Sequence, residues 1–260
     1  MNAGIALLVA AGRPVVGTAV VLGQMVLTLW RAMRALVRGR VGLRSVVEQV
    51  QVCGLTCLPV TVLASVCVGC IVAVQGMGYV RRYSAPEAFG WAAYFSAARE
   101  VGPLLMGLTL SARLGALHAA QLAALRVTDR VDAMKALGVD TVGLWVAPRI
   151  LAMPVAAVLL MAWSNAVSLV SATLFAWAFG GVTPWMTWAS VARYALWSDF
   201  TLGLWKVAAY GLCSGITATA VGDAARGGAD AVGHAVMRAA VVSVLAIVVL
   251  NHALTVGLAR

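Results

Sequence analysis

Long uncharged apolar runs dominate the chain, and their spacing predicts helices that cross a membrane. Gln49 to Val80, Ile150 to Ala192 and Ala239 to Ala259 carry no charged residue, and the second is long enough for a helix plus an outer loop. Phe89 to Ala112 and Thr201 to Val221 are also of span length, each interrupted by charge. A helical crossing needs ~20 mainly apolar residues. The runs are continuous rather than alternating with period two, which argues against a β-barrel. The pattern therefore predicts an all-α integral membrane protein with five transmembrane helices, at about 52–79, 86–117, 149–178, 200–221 and 239–259.

Two further segments have helical periodicity without being plain spans. Over residues 14–40, Val16, Val20, Leu22, Met25, Leu29, Met33 and Leu36 form a broad apolar face, and Arg31, Arg34 and Arg38 crowd the end. Such a helix can lie in the headgroup layer. Gly39 to Val50 is too short and polar for an ordinary outer loop, so an interfacial helix is preferred over a sixth span. Leu117 to Asp140 is the longest polar helix. Its apolar stripe is Leu122, Leu125, Val127, Val131, Met134 and Leu137, and Gly138 is placed to end it.

Composition agrees with the pattern and sharpens it. The 260 residues are 62% hydrophobic and 11% charged, with a mean hydropathy of +0.94, whereas soluble domains carry about 25% charge. The net charge of +10 is not spread like a nucleic-acid face. Arg31, Arg34, Arg38, Arg40 and Arg44 precede the first span, Arg113, Arg126, Arg130, Lys135 and Arg149 separate the second and third, and Arg226 and Arg238 separate the fourth and fifth. Five alternating helices put all of these on one side, leaving only Arg81, Arg82, Arg193 and Arg260 near the other. The positive-inside rule makes the first side cytoplasmic, with the N-terminus inside and the C-terminus outside. The opening Gly4 to Ala11 run is too short to span, lacks a basic leader, and is not read as a cleaved signal.

Against this apolar background, Arg99-Glu100 stands out. A charge at bilayer depth costs roughly 2.5–3.5 kcal/mol on insertion scales and normally faces a bundle interior or a wet cavity. Lys206 is a second such charge, with Asp199 shortly before it. Antiparallel second and fourth spans would place both sites in the outer half of the bilayer, so that Glu100 bridges to Lys206 and Arg99 stays free for a lipid phosphate or a partner protein. Gly107, Ser111, Gly115 and Ala119 form a small-residue ladder for close helix contact, either within the chain or between two copies.

Other chemistries find no support. No phosphate-binding G-x-x-x-x-G-K-[ST] loop, dinucleotide fingerprint or G-x-S-x-G elbow occurs. Cys67-x-x-Cys70 has no second pair or histidine to complete a metal site, and His118, His234 and His252 lack metal-ligand spacing. No metal site and no catalytic residue is expected.

The ordered motifs resemble one family. Arg99-Glu100-Val101-Gly102-Pro103, then Ser111-Ala112-Arg113-Leu114-Gly115, then Leu125-Arg126-Val127-Thr128-Asp129-Arg130-Val131-Asp132-Ala133-Met134, and Leu137-Gly138-Val139-Asp140 are similar to the MlaE-type permeases. These are the membrane subunits of Mce-associated ABC lipid transporters. The likeness continues through Asp199, Gly203, Lys206 and the 222–238 loop, covering about residues 15–258. Two positions depart from the family pattern: Gln121 where glutamate is usual, and Thr141 in place of the proline after Asp140.

The resemblance implies a single permease domain over 1–260. It comprises an interfacial helix and elbow at 14–50, a five-helix region at 52–259 and a coupling helix at about 120–140. It implies a homodimer in the bacterial inner membrane that moves phospholipids between inner and outer membranes and maintains outer-membrane lipid asymmetry. Its partners would be a cytoplasmic ABC ATPase, with ATP and Mg on that chain and no cofactor on this one, a periplasmic Mce-domain protein, and a small STAS-type subunit on the ATPase. Nucleic acid is not a partner. Coupling to the ATPase is expected from Arg126, Thr128, Asp129, Val131, Asp132, Met134, Leu137 and Gly138. A lipid cavity is expected from Val72, Val74, Gln75, Met77, Gly78, Tyr79, Leu104 and Leu105. The competing reading is a self-contained secondary transporter using Arg99, Glu100 and Lys206 as an ion or proton relay.

Overall fold

The computed structural model describes residues 3–39 and 41–258, with side chains from 17 to 257 apart from those of residues 18 and 40. The side chains of Gly4 to Ala11 and Val16, and Arg40 and Arg260, fall outside the described set. Among the described residues every regular element is helical. Helix α1 is Ala3–Val37, α2 Leu43–Tyr83, α3 the run 89–127, α4 Arg130–Ala136, α5 Val142–Gly180, α6 Pro184–Tyr194, α7 Trp197–Asp223 and α8 Ala229–Leu258.

Helices α2, α3, α5, α7 and α8 alternate in direction. One end of the bundle carries the segments 38–42, 128–141 and 224–228, and the other carries 84–88, 181–183 and 195–196. At the second end Arg81 donates to the Phe179 carbonyl and the Tyr94 hydroxyl to that of Leu196. Helix α2 packs along α5, α5 against α7, and α7 against both α3 and α8. Close approach comes from glycine: a Cβ on Gly69 would run into the Ser168 carbonyl of α5, and one on Gly211 into Met153 and Ala157. Ser65 and Ser164 share a 2.6 Å hydrogen bond beside the α2–α5 crossing. Such contacts matter where lipid removes the hydrophobic drive for helix association.

Four helices are apolar and long enough to cross a membrane: Ala19–Val37, Leu43–Tyr83, Val142–Gly180 and Ala229–Gly257. Three of them hold the expected first, third and fifth spans, the fifth as far as Gly257. The expected second and fourth spans lie in α3 and α7, whose charges, glycines and hydroxyls make them less apolar. Both sit inside the bundle, where Lys206, Tyr210, Leu110 and Leu114 are fully buried. An interior helix can be polar because its neighbours, not lipid, solvate it.

Ala19–Val37 meets the apolar criterion although the sequence favours an interfacial helix there. Its packing distinguishes the two geometries. Val21 joins a cluster with Ala119, Ala123, Val221 and Ala235, while Ala32 and Ala35 join Leu122, Val146 and Ile150. All of these partners lie near the 128–141 end, so α1 crosses that end of the bundle rather than running along its length.

Two boundaries differ from expectation. Helix α8 begins at Ala229, so Asp230, His234 and Arg238 are on its first turns rather than in a loop. The intervening turn shrinks to 224–228, where Gly227 takes φ 117°. The polar helix expected over 117–140 is two helices, broken at Asp129, which has φ 55°. Gly138, with φ 75°, ends the second as expected.

Candidate functional site

Helix α3 changes pitch at two places, Ser96–Glu100 and Ser111–Gly115, where single π turns interrupt it. The first has a cause in the sequence. In a regular helix the Arg99 carbonyl would accept from the N–H of residue 103, but Pro103 has none, and its ring crowds that carbonyl. The wider turn absorbs the conflict. It also releases the Arg99 carbonyl, which accepts a 3.1 Å hydrogen bond from Lys206 Nζ.

Lys206 is 2% exposed. Its ammonium has three donors, and the structure fills all three: the Arg99 carbonyl, Glu100 Oε1 at 2.9 Å, and Thr255 Oγ1 of α8 at 3.0 Å. Thr255 in turn reaches Glu100 Oε2 at 3.3 Å. Seven residues before Lys206, on the same face of α7, buried Asp199 accepts from Arg99 Nη1 at 2.8 Å. Arg99 also lies over the Phe95 ring, 5.3 Å from its centroid. Two cations and two carboxylates thus interlock α3, α7 and α8. Glycines permit it: a Cβ on Gly203 would strike the Ala98 carbonyl, and one on Gly102 the Ala97 carbonyl. The cluster lies about ten residues into α3 and nine into α7, or about 15 Å from that end at the usual helical rise.

The Glu100–Lys206 bridge joins the two helices expected to meet. The sequence pattern leaves Arg99 free, and the structure corrects this: Arg99 is paired with Asp199; the i, i+7 spacing of Asp199 and Lys206, which puts both on one helix face, is the signal that could have shown it. Thr255 had no signal in the sequence. Lys206 is buried, while the Arg99 and Glu100 side chains remain 28% and 34% exposed.

The small-residue ladder of α3 is occupied within the chain. Gly107 lies against the Tyr210 ring and Gly115 against Ser214 and Ser243, and Ser111 is fully buried. Tyr210 donates to Asn251 Oδ1 at 2.7 Å, tying α7 to α8 beside it.

The residues expected to line a lipid cavity are distributed. Val74, Met77 and Gly78 share an apolar pocket of about 250 Å³ with Ala73, Arg81, Phe175 and Phe179. Val72 packs beside this region, Gln75 and Tyr79 face outward, Leu105 borders a narrow crevice with Thr61 and Ser164, and Leu104 packs on the central core.

At the opposite end, Arg126 anchors the segment expected from the sequence to couple to an ATPase. Its guanidinium binds Asp223 of α7 at 2.6 Å and Asp132 of α4 at 3.1 Å, and Lys135 adds a 3.5 Å contact to Asp132. Thr128 donates to the Ala124 carbonyl at 2.8 Å, and Asp129 forms the break. Val131 is buried and Met134 half-buried, whereas Leu137 is 81% exposed and Gly138 and Val139 are open beside it. Asp140 Oδ1 accepts from the N–H groups of Val142 and Gly143, as a capping residue does. Thr141 follows the cap, at a position where proline and threonine are both accommodated because that N–H has no helical acceptor. The loss of proline there leaves the turn intact.

A bundle of long apolar helices that alternate in direction, with an ion-pair network inside it, marks a multi-pass membrane protein. Residues 46–257 match the family described as Permease MlaE, and the chain belongs to that family. It is 28% identical over 237 residues to a probable ABC transporter permease protein of Rickettsia felis, covering 90% of each chain. It is 24% identical over 236 residues to the chloroplastic protein trigalactosyldiacylglycerol 1 of Arabidopsis thaliana, covering 91% of this chain and 65% of that one. It is also 27% identical over 120 residues to the intermembrane phospholipid transport system permease protein MlaE of Haemophilus influenzae, covering 45% and 46%.

Proposed function

We propose that this chain is the membrane subunit of an ATP-driven transporter that moves phospholipids between the inner and outer bacterial membranes. The observation that carries the reading is the ion-pair network, seated in the R-E-V-G-P motif of a permease of the MlaE family. In this reading two copies form a homodimer in the inner membrane. A separate ABC ATPase binds ATP and Mg, with or without a STAS-type subunit, and docks at 126–139. An Mce-domain protein receives or delivers lipid on the periplasmic side. The lipid path runs past the outer ends of α2 and α3, where Val74, Gln75, Gly78 and Tyr79 are exposed. The N-terminus is cytoplasmic and the C-terminus periplasmic, and all five long bundle helices cross the bilayer.

The reading is supported over an ion-driven carrier by the pairing of each charge: Glu100 and Asp199 both hold cations, which leaves neither carboxylate idle as a proton carrier. The test is reconstitution in liposomes with the ATPase partner and labelled phospholipid. Lipid transfer should require ATP hydrolysis. Transport of lipid or ions by this chain alone, driven by a proton or sodium gradient, would overturn the assignment.

A further inference from the structure

Arg149, at the start of α5, is 4% exposed and has no carboxylate partner among the described residues. Its Nη2 donates to the neutral Gln121 side chain at 3.1 Å and its Nη1 to the Trp145 carbonyl at 3.3 Å, while Nε has no partner. The guanidinium stacks over the Trp145 ring, 5.4 Å from its centroid. Buried charges are normally paired, because stripping an ion of water without a counter-charge costs several kcal/mol.

The same residues line a pocket of about 560 Å³ between the first turns of α2, the last turns of α3 and the start of α5. Its wall includes Gln49, His118, Gln121, Arg130, Trp145 and Arg149, and no aspartate or glutamate. His118 is 1% exposed; Nε2 meets the Cys53 sulfur at 3.6 Å and Nδ1 has no partner. If the thiol donates to Nε2, the ring proton sits on Nδ1, which is then a donor. Trp145 Nε1 is likewise a buried donor without an acceptor. Two arginines and unmatched donors around one cavity, with no anion supplied by the described residues, describe a site waiting for an external anion. Arginine favours planar multidentate contact with phosphate oxygens.

We propose that this pocket binds a phosphate group, held by Arg149 at its base and Arg130 at its mouth. It lies at the bundle end that carries the 128–141 segment, which the proposed topology puts at the cytoplasmic membrane surface, where lipid headgroups meet water. Both a lipid headgroup and soluble phosphate present the required chemistry there. The site is separate from the ion-pair network and does not depend on lipid being the cargo.

The decisive variant is Gln121→Glu. It places a carboxylate about where Gln121 Oε1 now meets Arg149, so the chain supplies its own anion while the fold keeps the contact. Full-length protein in a maltoside detergent is titrated with inorganic phosphate at constant ionic strength. In parallel it is placed in nanodiscs of phosphatidylglycerol or of an uncharged glycolipid, and thermal unfolding is followed throughout. The wild type should be stabilised by at least one phosphate-bearing probe relative to its control. Gln121→Glu should weaken that response at least tenfold in the concentration required, without lowering the probe-free midpoint, and Arg130→Gln should weaken it several-fold. A response to inorganic phosphate identifies soluble anion as a ligand, and a response confined to phosphatidylglycerol identifies the headgroup. Equal responses in wild type and Gln121→Glu, or no response to either probe, would overturn the proposal.

Discussion

Pro103 shows how one residue without an N–H can organise a buried ion pair. It leaves the Arg99 carbonyl to Lys206, adding an oxygen ligand to an ammonium that Glu100 alone would not satisfy. Replacing it by alanine restores a helical donor that competes for that carbonyl. Pro103→Ala should therefore insert and fold but transport less, which lipid transfer normalised to membrane level would reveal; unchanged transfer would remove the released carbonyl from the mechanism. Breaking the pair itself is harsher. Glu100→Gln or Lys206→Met strands a charge, at a cost of about 3–5 kcal/mol, and each should lower the detergent-solubilised yield. The double variant should recover yield but not lipid transfer if the network serves transport. Recovery of both would reduce it to a structural bridge.

Among the elements, the break at Asp129 decides which side chains a partner can reach. An unbroken helix over 117–140 would show one continuous apolar stripe. The left-handed residue instead redirects α4, buries Val131 and leaves Leu137 and Val139 outside. Leu137→Glu and Val139→Glu should abolish capture of the ATPase in a pull-down while yield stays near wild type. Val131→Glu should lower the yield itself, because it puts an unpaired carboxylate into a buried site. Retained capture by both surface variants would move the docking site elsewhere.

For the whole molecule, two faces matter. Helices α3 and α7 turn most of their length inward, although Trp197 and Trp205 of α7 stay exposed, and α2 keeps Leu55, Leu63, Val74 and Tyr79 more than half exposed. The α3 ladder is engaged within the chain by Tyr210, Ser214 and Ser243, so the proposed homodimer would need another surface for its seam. The outer half of α2 is the proposed one. A cysteine introduced at Gln75, with Cys67, Cys70 and Cys213 changed to serine and only the buried Cys53 and Cys57 kept, should crosslink between copies in native membranes. Monomer-only behaviour under oxidant would exclude that seam.

Much of this architecture was legible before any coordinates, for a physical reason. Lipid tolerates only long apolar helices, so composition along the chain marked the spans near 52–79, 149–178 and 239–259, and the rarity of intramembrane charge singled out Arg99, Glu100 and Lys206. Local chemistry also marked the Gly138 stop. What the sequence alone could not decide was partnership between helices. The capture of Arg99 by Asp199, the closing of the cluster by Thr255 and the pairing of Arg149 with a neutral Gln121 all depend on which faces meet. Those contacts join residues from about 30 to more than 150 positions apart, and no local periodicity encodes them; only packing of the assembled bundle does.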